Sequence, residues 1–151
     1  QWEAQITPED YLRRCALLKN RIKGRYFQYH YHESELSMLE AALSRGDRKL
    51  CQVLLRAHEL GCKMDGWTDY FALDKWMQAF ADCGIDPAWY AQRERSEDEI
   101  FPWETVSIGI PKKFFWKERQ AAYRSEITPD CRKQCTGCGA NLLYQGGVCD
   151  E

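Results

Sequence analysis

The sequence predicts a mainly α-helical fold: a compact helical domain with one or two short strands and a cysteine-rich, metal-binding C-terminal tail. Two observations predict the helices. Apolar residues recur three and four positions apart in several stretches, and capping residues or Pro precede these stretches while Gly follows them. A third observation sets the tail apart, because four of the eight cysteines lie after residue 130.

The first helix is predicted to begin at Pro8. Thr7 is a favourable N-cap, proline suits the first helical position, and Asp10 places negative charge at the positive end of the helix dipole. A single apolar stripe follows, formed by Tyr11, Cys15, Leu18 and Ile22. Gly24 is predicted to end this helix.

The segment RYFQYHYH, residues 25–32, is predicted to be a short strand or an extended segment. Its aromatic residues alternate with polar ones, and a strand shows the same period of two. In that conformation His30 and His32 point to one face, where they are candidate ligands or partner contacts. The alternative interpretation is a pair of surface or hydrogen-bonded histidines.

Further helices are predicted along the rest of the chain, separated by turns. One begins at Ser34. The others run from Leu50 to near Gly61, from Asp74 to Asp82, from Asp86 to Tyr90, and from Lys112 to Glu126. The helix that begins at Leu50 is expected to turn Leu50, Leu54 and Ala57 towards the core. The chain is thus divided into a helical domain, residues 1–126, and a cysteine-rich tail, residues 127–151.

The turn SRGDR, residues 44–48, is a second group of candidate contact residues. Arg45, Asp47 and Arg48 could bind an anion or a substrate. The alternative interpretation is a helix-breaking turn that contains an ion pair.

Charge and hydropathy exclude some functional classes. The formal net charge is −2, so no global field attracts nucleic acid or an anionic membrane. No apolar run has the length of a membrane span and no signal peptide is visible, which predicts no membrane partner and a cytoplasmic location. The chain begins QWEAQ without an initiator Met, which predicts a piece of a longer protein.

The cysteines fall into two groups with different predicted roles. A disulfide framework is not predicted, because a chain of 151 residues needs no staples and the cysteines are unevenly placed; a cytosolic location fits this usage. Cys15, Cys51, Cys62 and Cys83 are scattered through helical stretches and are predicted to be small buried thiols. The other four belong to the tail.

The tail is predicted to bind a metal through Cys131, Cys135 and Cys138, with Cys149 as a possible fourth ligand. The motif CTGCG resembles a metal knuckle, in which Gly137 and Gly139 permit a tight turn that aims backbone amides at sulfur. Four thiolates satisfy tetrahedral zinc and equally an iron–sulfur cluster. The alternative interpretation is free thiols or a disulfide in a frayed tail.

The spacing C-x3-C-x2-C is also used by radical S-adenosylmethionine (SAM) enzymes to hold their catalytic cluster. In those enzymes the loop precedes most of a barrel that holds SAM, and only a short stretch follows Cys138 here. The tail is therefore not expected to be the usual catalytic cluster site.

Three longer segments carry a family resemblance. They are YHESELSMLEAALSRGDRKL, GCKMDGWTDYFALDKWMQAFADCGIDPAWYAQRERSEDEIFPWETVSIGIPKKFFWKE and TPDCRKQCTGCG. In this order, and over nearly the whole chain, they strongly resemble the C-terminal region of a bacterial radical SAM family. Its members fuse a cobalamin-binding-type N-terminal domain to a radical SAM barrel. The opening QWEAQIT is similar to the segment that follows the last barrel strand.

The resemblance implies that the full-length protein cleaves SAM with a four-iron four-sulfur cluster whose cysteines lie upstream of this chain. The barrel of the same protein and a small companion protein are the implied partners, while a role with RNA is only a guess. The family often ends in C-G-x-C, but Asn141 stands at the last of these positions. Cys149 is therefore the candidate replacement.

The predicted function is that of a C-terminal accessory domain of a radical SAM enzyme, not catalytic alone, which caps the barrel and binds a metal or cluster through its tail. A zinc-stabilised module that binds protein or RNA is the alternative. A third possibility is an auxiliary iron–sulfur cluster that serves electron transfer or substrate binding.

Overall fold

A computed structural model describes residues 1–142, and within them the chain forms six α-helices and no β-strand. The helices are α1 (Pro8–Arg21), α2 (Ser34–Ser44), α3 (Leu50–Glu59), α4 (Leu73–Asp82), α5 (Pro87–Ala91) and α6 (Lys112–Tyr123). Two short 3-10 helices span Pro102–Thr105 and Ala140–Leu142. The prediction of a mainly helical chain is confirmed.

Internal contacts divide the chain into two compact units, Gln1–Pro102 and Trp103–Glu151. The first contains α1 to α5, and the second contains α6 and the described part of the tail. The predicted division into 1–126 and 127–151 separates functional parts, and it stays a prediction.

Local capping signals place the beginnings of two helices where the sequence predicts them. The Thr7 side chain accepts a hydrogen bond from the backbone N–H of Asp10, and Pro8 occupies the first position of α1. Asp86 caps α5 in the same way, since its Oδ1 accepts from the backbone N–H of Ala88 at 2.9 Å. Each cap satisfies a backbone donor that the helix itself leaves without a partner.

The hydrophobic core of the first unit lies among α2, α3, α4 and α5. Here α2 packs against α5, α3 packs against α4, and α1 adds a smaller contact with α2. Its fully buried side chains include Leu39, Ala42, Leu50, Val53, Ala57, Trp76, Ala79, Phe80 and Ala91. The predicted inward face of α3 is confirmed at Leu50 and Ala57 but wrong at Leu54, which is 46% exposed while Val53 is fully buried.

The prediction of one or two short strands is wrong for residues 1–142. Residues 27–33 have no regular structure, although their aromatic and polar side chains alternate. A strand requires the backbone hydrogen bonds of a neighbouring strand, and no segment of the described chain supplies them. Alternation alone therefore indicates a segment with two different faces, not a sheet.

The first residues of the chain are tied to the end of α5. Trp2 is only 3% exposed, and its ring meets that of Phe101 edge to face at 6.1 Å. The backbone N–H of Arg95 donates to the Trp2 carbonyl, and that of Gln5 donates to the Ala91 carbonyl. These bonds fix the direction in which the segment before α1 enters the first unit.

Candidate functional site

The two glycines of the cysteine tail adopt the backbone conformation that a tight turn would use. Gly137 and Gly139 both have left-handed backbones, with φ of 71° and 82°. The backbone N–H of Ala140 points to the Sγ of Cys138 at 3.5 Å, and an N–H so placed stabilises negative charge on sulfur. A Cβ atom on Gly139 would also lie 3.2 Å from the Gly109 carbonyl oxygen, so a larger residue is disfavoured there.

The three described tail cysteines are free thiols. Cys131 and Cys135 are exposed and Cys138 is half-buried, so all three are accessible to a metal ion. Within residues 1–142 no three His, Cys, Asp or Glu side chains are yet gathered closely enough to hold one. Cys149, the possible fourth ligand, lies outside the described residues.

Asp130 organises the beginning of the tail. Its Oδ1 accepts from the backbone N–H of Arg132, and its carbonyl accepts from the N–H groups of Lys133 and Gln134. The Arg132 guanidinium also pairs with the carboxylate and lowers the pKa of Asp130. The turn that leads into Cys135 is therefore held by one ionised side chain.

A groove of about 320 Å³ lies between the end of α6 and the tail. Cys135 lines it together with Lys117, Gln134 and Thr136. The Thr128 hydroxyl donates to the Glu118 carboxylate at the same place, which ties the tail to α6. A metal bound at Cys135 would face this groove.

His30 and His32 are both exposed, with no third ligand beside them in the described part of the chain. The His30 ring lies 3.3 Å from the side-chain oxygen of Gln28, and the His32 carbonyl accepts from the Tyr11 hydroxyl. This geometry matches a surface or hydrogen-bonded pair, and a role in partner contact stays a prediction.

The opposite face of the same segment packs towards α1. The Tyr29 hydroxyl donates to the Sγ of buried Cys15 at 3.5 Å, and this hydrogen bond, helped by partial burial, raises the pKa of Tyr29 to about 12. The ring of Tyr31 meets that of Tyr11 edge to face. Cys15 and Cys62 are buried as predicted. The prediction is wrong for Cys51, which is exposed, and Cys83 is only partly buried.

The residues of the SRGDR turn serve mainly to join elements. Arg45 donates through Nη1 to the carbonyls of Ala91 at 2.8 Å and Glu3 at 3.2 Å. The Oδ1 of Asp47 accepts from the Tyr90 hydroxyl at 3.1 Å. Among the described residues no ion pair joins Arg45, Asp47 and Arg48, so the alternative of an ion-paired turn is not supported, while a role in anion or substrate contact stays a prediction.

A buried arginine network near α5 was not found by sequence reasoning. Arg95 is 3% exposed, and its guanidinium donates to the Tyr90 carbonyl and lies 3.5 Å from Glu99. Glu99 also binds Arg93 through both carboxylate oxygens. Burial, followed by repulsion from Arg93 and Arg45, lowers the pKa of Arg95. The dense run RERSEDE signals pairing, but local sequence does not reveal which arginine is buried.

No helix in the described part of the chain combines the length and the apolar character that crossing a bilayer requires.

Comparison of the chain with protein-family models, with curated proteins and with solved structures gives no match.

Proposed function

We propose that this chain is the C-terminal accessory domain of a radical SAM enzyme and that its tail binds zinc or an iron–sulfur cluster. The resemblance of three long segments supports the family. One observation carries the metal site: in the sequence CTGCGA, residues 135–140, two glycines adopt left-handed backbones and an N–H points at the Cys138 sulfur. This arrangement is compatible with a metal knuckle, because hydrogen bonds to sulfur are a feature of iron–sulfur sites.

The tail would hold the metal through the thiolates of Cys131, Cys135 and Cys138, with Cys149 as the candidate fourth ligand. Binding would draw together side chains that are now separate, because a metal ion ligates each sulfur as a thiolate and offsets the repulsion among the charged ligands. Zinc would supply a fixed tetrahedral centre for the tail, whereas a cluster would supply a site for electron transfer or substrate binding.

The first unit would cover the open end of the barrel that precedes this chain in the full-length protein. The anchored segment of Trp2 and Gln5 supports this role, since a rigid entry transmits the position of one domain to the next. SAM cleavage would then take place upstream, and the chain alone is not expected to be catalytic.

A binding module for protein or single-stranded RNA is the second candidate. The loop after α1 supports it, because exposed Tyr26 and Phe27 lie beside the cations of Lys23 and Arg25. Exposed aromatic rings flanked by basic residues stack on bases and neutralise phosphates. The discriminating test is a filter-binding titration with single-stranded RNA, in which Phe27→Ala weakens binding only if this candidate is correct.

The metal site is tested by anaerobic purification followed by metal analysis and a visible spectrum. Iron with sulfide and a brown colour identifies a cluster, and one zinc per colourless chain identifies a structural zinc site. Cys138→Ser should remove the metal, and Cys149→Ser decides whether that residue is a ligand. Cys51→Ser is the matched control, because Cys51 is also exposed but lies in α3.

Metal-free protein with all tail thiols reactive under reducing, anaerobic conditions would overturn the metal site. The family assignment has a separate test: the full-length parent should cleave SAM reductively while this chain does not. A parent without an upstream three-cysteine loop would overturn it.

A further inference from the structure

A second groove lies in the first unit, far along the sequence from the cysteine tail. It has a volume of about 570 Å³, which is in the range of small-molecule sites in proteins. It runs between the beginning of α3 and the turn from α4 to α5. The residues on which the argument rests are Lys49, Gln52, Ile85, Asp86, Trp89 and Tyr90.

The wall formed by α5 is aromatic and held in place. Trp89 is 52% exposed, and the Arg93 guanidinium carbon lies 4.1 Å from the centre of its ring. Arg93 is itself fixed by Glu99, and the Tyr90 ring meets Trp89 edge to face at 4.8 Å. A ring so restrained loses little conformational entropy when a flat ligand packs against it.

The wall formed by α3 carries one cation, Lys49. Lys49 is exposed and has no acidic partner among the described residues, and the first turn of α3 contains no acidic residue. The N-terminal end of a helix adds positive partial charge. Asp47, the nearest acid in sequence, is already hydrogen-bonded to the Tyr90 hydroxyl and the Lys49 backbone N–H.

The one acidic residue that lines the groove lies at its other side. The Oδ1 of Asp86 accepts from the Ala88 backbone N–H and so serves as the cap of α5. Between Asp86 and Lys49 the lining combines polar groups with the apolar surfaces of Ile85 and the two aromatic rings. The groove therefore offers an apolar face for part of a ligand and a cation at the α3 end.

We infer that this groove binds a small ligand with a flat, apolar body and one anionic group, either a carboxylate or a phosphate. The body packs against Trp89, and the anion lies near Lys49 and the beginning of α3. Gln52 offers an amide to the same end of the ligand. This inference goes beyond the proposed function and does not depend on a metal at the tail.

The test is calorimetric titration of the full chain with naphthyl phosphate, naphthoate and the neutral analogue naphthol. One saturable site is expected, with at least one anion bound more tightly than naphthol. The tighter of the two anions identifies the anionic group of the ligand. Lys49→Gln should weaken that anion about fivefold, as expected for one solvent-exposed ion pair, and should leave naphthol unchanged. Trp89→Leu should weaken all three probes.

Matched controls come from the loop between α3 and α4. Lys63 and Trp67 are exposed like Lys49 and Trp89 but do not line the groove. Lys63→Gln and Trp67→Leu should therefore leave the affinities within about twofold. If Trp89→Leu fails to fold, Lys49→Gln still tests the inference, because the Lys49 side chain is on the surface. The inference is overturned if no probe saturates, if naphthol binds as tightly as both anions, or if the controls weaken binding equally.

Discussion

The core of the first unit and the tail of the second unit are stabilised by different means. In the first unit, α2 to α5 bury a continuous apolar cluster around Phe80 and Val53. In the second unit, no residue from 103 to 141 is fully buried, and its order comes from turns, ion pairs and partly covered aromatic rings. A unit without a buried core commonly needs a further stabilising element, such as a metal ion. The comparison therefore favours a structural role for the tail cysteines.

Removal of the proposed tail metal should have the largest effect. Structural zinc sites contribute an apparent binding free energy of about 10–16 kcal/mol in small peptides. Chelation should therefore accelerate tryptic cleavage after Arg132 and Lys133 by at least about tenfold. Thermal unfolding of the first unit should remain unchanged, and the Cys51→Ser variant should respond as the unmodified chain does. Equal cleavage rates with and without metal would contradict a structural role for metal in the tail.

Truncation of a core side chain in the first unit should have the second-largest effect. Phe80→Ala removes a fully buried ring from the contact of α4 with its neighbours and should lower the free energy of unfolding by about 3–5 kcal/mol. Denaturant titration followed by circular dichroism measures it. Leu55→Ala is the control, because Leu55 is 68% exposed, and it should change stability by less than about 0.5 kcal/mol. A similar loss of unfolding free energy in both variants would show that the burial of a side chain does not determine the cost of truncating it.

The turn between α2 and α3 should tolerate only glycine at its centre. A Cβ on Gly46 would lie 1.9 Å from Leu50 Cδ1 and 2.9 Å from the Ala42 carbonyl oxygen. Gly46→Ala should therefore cost about 1–3 kcal/mol through overpacking, measured by denaturant titration. Gly66→Ala is the matched control, since a Cβ there meets no atom within 4 Å. If both glycines accept alanine equally, the α2–α3 turn is looser than its geometry indicates.

The ion pair between α3 and α4 should give the smallest effect. The Arg56 guanidinium binds the Asp82 carboxylate at 2.6 Å, and with Gln78 it lowers the pKa of Asp82 below its usual 3.8. A lowered folded-state pKa stabilises the fold above the unfolded pKa, and this contribution is lost as the pH falls through the folded value.

Thermal unfolding between neutral and acidic pH tests this pair. Asp82→Asn should lower the melting temperature at neutral pH, and the difference from the unmodified chain should shrink as the pH falls. Asp69→Asn, at an exposed position in the loop before α4, is the control for replacing one carboxylate by an amide. A difference that stays constant down to acidic pH would assign the effect of Asp82→Asn to something other than ionisation.

Local features of the fold could be predicted from sequence, whereas partners distant in sequence could not. Thr7 and Asp86 cap helices because each side chain needs a donor only two or three residues away. The strand prediction failed because a strand depends on a second segment. Asp47 was singled out as a candidate contact, but its partner Tyr90 lies 43 positions away and has no local signal.

The sequence by itself determined the helical character of the chain, the capped beginnings of α1 and α5, and the left-handed glycines on either side of Cys138. These features depend on backbone preferences and hydrogen bonds within a few residues. Only the tertiary structure decided that Val53 and not Leu54 is buried, that Arg95 lies inside, and that Lys49 and Trp89 line one groove. Which side chains are buried, and which line one groove, depends on which helices pack together. That packing brings together residues far apart in the chain, and no periodic pattern in the sequence indicates which residues will meet.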